Sequence, residues 1–278
     1  MSEPTPPEQG LRRYDDPSID VLAVLDLERV EENLYRANCV FAEQSDDSTG
    51  QMTSLYGGQV AAQALRAAGL TVDLDRHPHS LHGYFLRPGD SRIPTVFTVF
   101  RDRDGRSYSA RRVVAIQNGK VIFNMSASFQ VPNDNAVDQV EQMPHTEGPD
   151  GLPSAPLFRL FSMDCRMPAQ PFARALWPTR FWARASVPLP DDPLLHACVL
   201  TYLSDISTGV LPRPDGSIRP SSSLDHAVWF HAPADLSRWV LSDYQPRVTG
   251  NGRGWYTGSI FGPDGNLVAS LAQETLFR

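Results

Sequence analysis

The chain has 278 residues, a hydrophobic fraction of 41%, a charged fraction of 21% and a net charge of −7. That length suits one large domain or two modest ones. The acidic balance excludes a general nucleic-acid binder while leaving room for a local basic patch that holds an anion, and no apolar run approaches the roughly 18 residues of a membrane helix.

The first 18 residues, "MSEPTPPEQGLRRYDDPS", are polar and Pro-rich. They lack the apolar segment of a signal peptide and read as a disordered arm. "ENLYRANCVF" then reads as a strand, and "GGQVAAQALRAAG" as a helix. In that helix Val60, Ala61, Ala64, Leu65 and Ala68 recur at helical spacing, Gly57 and Gly58 open it, and Gly69 can end it. "SLHGYFL", "IPTVFTVFRD", "SYSARRVVAIQ" and "KVIFNMSASFQV" follow as β-branched and aromatic runs. The turns "RDGR" and "QNGK" separate them, and Asn-Gly is a strong hairpin signal.

Pro and Gly density in "PHTEGPDGLPSAP" marks residues 133–175 as a linker. Beyond it "TRFWARASV" reads as a strand and "PLLHACVLTYLSDIS" as a helix with Leu195, Val199, Tyr202 and Leu203 near one face. The runs "LDHAVWFH", "WVLSDYQP", "GWYTGSIFG" and "NLVASLAQETLF" complete a second meander of strands. Three cysteines, Cys39, Cys165 and Cys198, form no disulfide framework or CxxC pattern, which predicts reduced thiols in a cytoplasmic protein. The last three residues, Leu276, Phe277 and Arg278, are not a peroxisomal address.

The two halves repeat one plan. His82 and His226 are 144 apart, Pro88 and Pro233 are 145 apart, and so are Asp90 and Asp235. "GRSY" at 105–108 faces "GRGW" at 252–255, and Asn118-Gly119 faces Asp264-Gly265 at an offset of 146. Offsets that drift by one or two residues are what small loop insertions produce, whereas chance matches scatter. The chain is therefore expected to hold two copies of one α+β unit, at 19–132 and 176–278, each a long helix against an antiparallel sheet.

Several stretches carry a resemblance: "LYGGQVAAQAL", "HSLHGYFLRPGD", "SYSARRVVAIQNGKVIF", "MSASFQ", "MPHTEGPDGLPS", "SLDHAVWFH" and "LVASLAQETLFR". In these the chain, from about residue 20 onward, resembles the acyl-CoA thioesterase II family. The resemblance implies a double hotdog fold, hydrolysis of fatty acyl-CoA to free acid and CoA, and no metal or other cofactor. It also implies a catalytic Asp, hydroxyl and Gln that together hold a water, carried onto Asp205, Ser223 and Gln273. Members often have Thr where this chain has Ser223. The hydroxyl survives and the rotamer is looser.

The chemistry suits those types. Thioester hydrolysis needs an aimed water, a base and donors for the developing oxyanion. Asp205 can accept a proton, while Ser223 and Gln273 can both donate and accept. Each alone reads as an ordinary surface residue, so the set rests on the resemblance. In other hotdog thioesterases a helix start polarises the thioester carbonyl while an acid sits mid-helix on the partner unit. By that pattern Gly57 and Gly58 bind substrate, Asp205 lies well inside the second helix, and one site works per chain at the junction of the copies.

Other features are assigned elsewhere. His82 and His226 fall at equivalent repeat positions, which favours one shared structural role. His77 and His79 flank Pro78 in a loop. Arg101, Arg103, Arg106, Arg111 and Arg112 read mostly as a solvated strand face, with contacts to CoA phosphates unassigned. No GxSxG nucleophile elbow occurs, and "GNGRG" at 250–254 lacks the context of a dinucleotide loop. Two rivals remain. One is an enoyl-CoA hydratase-like hotdog enzyme, disfavoured because the "SDIS" helix has no nearby downstream His. The other is a non-catalytic acyl-CoA-binding protein. By analogy with other hotdog proteins, whose sheets commonly associate, a homo-oligomer, dimer or tetramer, is expected, an unpaired sheet edge also invites pairing, and no membrane insertion is expected.

Overall fold

A computed structural model describes residues 20–39, 54–133, 138–155, 157, 160, 162–206, 209–211 and 220–277. The arm read over residues 1–18 lies outside them. The first half runs α1 (Val21–Leu25), β1 (Leu27–Glu31), β2 (Leu34–Ala37), α2 (Gly57–Gly69), β3 (His77–Phe85), β4 (Thr95–Asp104), β5 (Tyr108–Gln117) and β6 (Lys120–Gln130). The second runs β7 (Met163–Arg166), β8 (Arg180–Ala185), α3 (Pro193–Ser204), β9 (Pro220–Ser223), β10 (Asp225–Phe230), β11 (Val240–Gly250), β12 (Arg253–Phe261) and β13 (Leu267–Phe277).

Among the described residues the strands form one antiparallel sheet in the order β1-β2-β4-β5-β6-β3-β10-β13-β12-β11-β8-β7, with β9 added beside β13. Read outward from its centre, each side gives the same sequence of elements. β3 matches β10, β6 matches β13, β5 matches β12, β4 matches β11 and β2 matches β8. The central seam joins β3 to β10, with Ala227 opposite His82 and Val228 opposite Leu81. The β7 strand lies inside the stretch read as linker and occupies the edge that β1 holds in the first half.

The hairpin signals work as their chemistry requires. Asn118 and Gly119 take φ of 47° and 70° between β5 and β6, and Asn251 and Gly252 take 51° and 72° between β11 and β12. Positive φ at both central residues gives the turn whose twist matches paired strands. "GNGRG" is thus a hairpin. The His77-Pro78-His79 segment is not a loop but the start of β3. Pro78 is accommodated beside a register shift between Pro78 and Ser80.

Both helices differ from the one-sided stripe expected. Leu195–Ser204 of α3 is buried throughout, and in α2 every residue but Gly57 and Arg66 is buried. The reason is that the helices pack on each other as well as on the sheet, which buries a helix all round. They run antiparallel and approach closely. A Cβ on Gly58 would stand 2.5 Å from the Tyr202 carbonyl oxygen, and one on Gly69 would strike Leu194. At one end of the pair, Asp192 caps α3 through the N–H groups of Leu194 and Leu195 and binds Arg66 of α2 at 2.9 Å. Burial opposes ionisation of Asp192, but Arg66 and those N–H groups outweigh it and hold the carboxyl below its usual range. At the other end the start of α2 meets the end of α3.

Arg111 corrects the reading of the arginine-rich stretch. It is 2% exposed, and its guanidinium donates to the Thr71 hydroxyl and carbonyl, to the Arg103 carbonyl and, at 2.6 Å, to Asp104. Along β5 the side chains of Ser109, Arg111, Val113 and Ala115 alternate onto the buried face, so Arg111 points inward, while the facing β4 bulges between Arg101 and Arg103. Arg101, Arg103, Arg106 and Arg112 are exposed.

Candidate active site

Asp205 does not lie inside α3. It is the C-cap, with φ −100° and ψ 9°, and its N–H bonds to the Leu203 carbonyl. The antiparallel packing of α2 and α3 brings this cap against the first residues of α2. Gly57 is pressed so close to Asp205 that any Cβ there would stand nearer than 3.0 Å to its Oδ2. The Gly58 N–H donates to the Asp205 carboxylate. That bond uses one of the helix-start donors expected to meet a substrate carbonyl.

Two strands complete the cluster. β9 ends at Ser223, paired with Thr275 on β13, and Gln273 stands two residues back along β13 on the same face. Ser223 Oγ donates to Asp205 Oδ1 at 3.0 Å. Gln273 Nε2 donates to Asp205 Oδ1 at 2.7 Å and to Ser223 Oγ at 2.6 Å. The three side chains assigned by resemblance therefore converge. Gln273 is 1% exposed, whereas Asp205 and Ser223 keep some accessible surface, which is how a buried clamp can face a reachable acid.

Burial drives the Asp205 pKa above its ordinary value. The field of His226 and the bonds from Gln273, Ser223 and Gly58 act the other way and do not cancel it. A carboxylate so placed binds a proton more readily than one in water, which suits a base. Tyr244 and Tyr256 are buried close by, and burial together with the Asp205 charge pushes their phenols far up, so both stay neutral. Burial pushes the Cys198 thiol of α3 up to about 12, so it is not a nucleophile. Among the described residues no group of His, Cys, Asp and Glu could hold a metal ion.

Sequence reasoning passed over His226. Its ring is 0% exposed, Nδ1 meets Gln273 Oε1, and Nε2 lies 2.7 Å from Ser204 Oγ. Burial lowers its pKa, against the pull of Asp205, the bond to Gln273 and the charge of Asp225. The shared role given to His82 and His226 fails, because His82 is exposed and packs edge-on against Trp229. Alternation along a strand means that an offset of 145, the one shared by the proline and aspartate pairs, puts Leu81 rather than His82 at the inward position of His226. The signal was present in that odd offset.

Comparison with known proteins gives the family. Residues 45–130 match the profile of the acyl-CoA thioesterase N-terminal domain, and residues 137–277 that of the C-terminal domain. Human acyl-coenzyme A thioesterase 8 is 33% identical over 318 residues, covering 100% of this chain and 97% of that protein. The chain belongs to the acyl-CoA thioesterase II family. A crystal structure of acyl-CoA thioesterase II TesB2 from Mycobacterium marinum, 39% identical, superposes with a TM-score of 0.77 and covers 93% of this chain and 98% of that one. A hotdog-fold protein of unknown function from Alicyclobacillus acidocaldarius, 19% identical, covers 92% of this chain and 97% of that one with a TM-score of 0.70. The family fold is thus the double hotdog expected: two helix-and-sheet units fused along the β3–β10 seam.

Proposed function

We propose that the protein hydrolyses acyl-CoA thioesters with a water activated by Asp205, Ser223 and Gln273. Membership of the acyl-CoA thioesterase family makes the chain a thioester hydrolase, and the single observation that carries the residue assignment is the hydrogen-bonded convergence of the three side chains beside the start of α2.

In this reading Asp205 takes a proton from the water while its oxygen attacks the acyl carbon. The new C–O bond forms, the carbonyl electrons move onto oxygen, and the positive end of the α2 dipole at Gly57 stabilises that charge, the Gly58 N–H being held by Asp205. The intermediate collapses, the C–S bond breaks, and the proton held on Asp205 passes to the departing sulfur, leaving a fatty acid and CoA. Ser223 and Gln273 fix the carboxylate by donating to Oδ1, which leaves Oδ2 for the water. No covalent acyl-enzyme is needed.

The same reading keeps the protein in the cytoplasm, where three thiols without a disulfide partner stay reduced. Among the described residues no helix is long and apolar enough to cross a membrane. It also makes the protein a homo-oligomer, because Tyr84, Phe100, Tyr108 and Trp229 leave large apolar surface exposed.

The test is release of free CoA from acyl-CoAs of graded chain length, followed with a thiol reagent. Asp205→Asn is expected to cut turnover at least about tenfold while a non-hydrolysable thioether analogue still binds. Turnover equal to the native chain's would refute the assignment. Loss of enoyl absorbance without thiol release would point to a hydratase, and binding without turnover to an acyl-CoA sensor.

A further inference from the structure

The chain of hydrogen bonds at the site extends two residues beyond the proposed triad. Gln273 Nε2 faces Asp205 Oδ1 and Ser223 Oγ. Gln273 Oε1 faces His226 Nδ1, and His226 Nε2 faces Ser204 Oγ at 2.7 Å. Ser204 Oγ is also 2.9 Å from the Thr201 carbonyl within α3. All of His226, Ser204 and Thr201 are 0% exposed, so water cannot replace any partner without rearrangement.

This order of atoms fixes which way each group points. A carboxylate oxygen accepts only, and the Ser223 proton is already given to it, so both need an N–H from the amide. That turns Gln273 Oε1 toward His226, where a carbonyl oxygen needs a donor. The ring must therefore carry its proton on Nδ1. In the neutral ring Nε2 is then a bare acceptor, and the hydroxyl that can supply it is Ser204. Without an Nδ1 donor the Gln273 carbonyl oxygen would be buried with its His226 partner lost, and the amide would be held from one side only. A half-turn would place its oxygen against the Asp205 carboxylate, where two acceptors repel.

We propose that His226, with Ser204 behind it, is a positioning residue that locks the Gln273 amide so that its N–H groups hold Asp205 and Ser223. The ring touches neither the water nor the acyl group and acts through Gln273 alone. The lock holds in either charge state of the ring. When His226 carries two protons, both nitrogens donate and the Ser204 proton turns to the Thr201 carbonyl. When it carries one, that proton stays on Nδ1 because Ser204 donates to Nε2. This inference rests on the triad reading above and adds the parts that set its geometry.

The experiment separates the lock from simple packing by asking which donor is restored. An Asn amide N–H stands near the place of Nδ1–H, whereas a Gln amide reaches to the place of Nε2. His226→Leu and His226→Gln are each expected to lower kcat by about 10²-fold, the cost of misplacing a positioned group. Their affinity for the thioether acyl-CoA analogue should stay within about threefold of native, because binding contacts are left in place. His226→Asn should recover most of the lost kcat. Equal losses in the Asn, Gln and Leu variants would overturn the proposal, as would a loss confined to affinity.

Nitrogen-15 NMR of histidine-labelled native protein gives a readout that needs no variant to fold. The buried ring should show a protonated Nδ1, and a neutral ring protonated at Nε2 alone would overturn the proposal. Ser204→Ala should move the proton balance toward Nε2 and lower kcat several-fold, and an unchanged ring with native kcat would count against it. Asp205→Asn in the same assay keeps the two ideas apart. If it is as active as the native chain, the triad reading fails. If it is inactive while His226→Leu is fully active, only the lock fails.

Discussion

Gly57→Ala is the sharpest probe of the meeting between the two helices. Gly57 is not there for its backbone angles, since its φ is not in the left-handed region. It is there for space. A Cβ would stand nearer than 3.0 Å to Asp205 Oδ2 and at 3.0 Å from two ring atoms of Phe85. Ordinary van der Waals contact begins at 3.4 Å, so the carboxylate or the helix start must move by more than 0.4 Å. Asp205 cannot simply retreat, because Ser223 and Gln273 hold Oδ1 at 3.0 and 2.7 Å.

Helix propensity favours Ala over Gly by about 1 kcal/mol, while overpacking costs about 1–3 kcal/mol, so the net loss of stability should be at most about 2 kcal/mol. The rate should suffer more, because a displaced base costs on the order of 10–10²-fold in kcat. Steady-state CoA release and a thermal melt measure the two effects. Gly58→Ala serves as contrast. Its Cβ would press on the backbone oxygen of Tyr202 at 2.5 Å, so it should fail first in the melt. A Gly57→Ala protein with native kcat would refute the claim that the start of α2 and Asp205 share the reacting space.

The acid limb of the kcat/KM profile should lie above the ordinary carboxylate value of about 4, because burial raises Asp205 and only its ionised form accepts a proton. A limb centred at or below that value would contradict the assignment. The same shift has a stability sign. The folded carboxyl keeps its proton to a higher pH than the unfolded one, so its stabilising contribution is lost as pH rises through the folded pKa. Asp205→Asn should therefore melt no lower than the native chain at pH 8, and a clearly lower melting temperature would contradict that. Arg111→Met should destabilise by about 2 kcal/mol in denaturant unfolding, chiefly by stripping the Thr71 and Arg103 carbonyls of donors. Asp104 is 53% exposed and its ion pair adds little, so Asp104→Asn should cost under about 1 kcal/mol.

Much of the fold was legible because it depends on local rules. Asn-Gly at 118–119 and 251–252 dictates tight hairpins, and the Ala-rich run after Gly57-Gly58 dictates a helix. The repeat revealed two units without reference to any relative. What stayed hidden depends on register and on burial from more than one side. Asp205 follows a largely apolar helix with no glycine or proline at its end, so nothing local marks it as the cap rather than another turn. The His-to-His spacing of 144 hides the role of His226, because the strands repeat at 145 and one residue of slip reverses every side chain in a strand. Arg111 looks like its four charged neighbours, and only its place among the inward positions of β5, between Ser109 and Val113, sets it apart. Residues 163–166 sit in Pro-rich surroundings, yet the open edge of β8 gives them a partner. The site itself is spread over three elements 68 positions apart at the extremes, a separation at which spacing carries no signal.

The far end of the helix pair, where Asp192, Arg66, Leu194 and Gly69 interlock, works as an anchor. Since the two helices are held there, the opposite end can tolerate a carboxylate that folding alone would reject. Reinforcing the anchor should therefore widen the set of substitutions that the Asp205 end can accept without unfolding the chain.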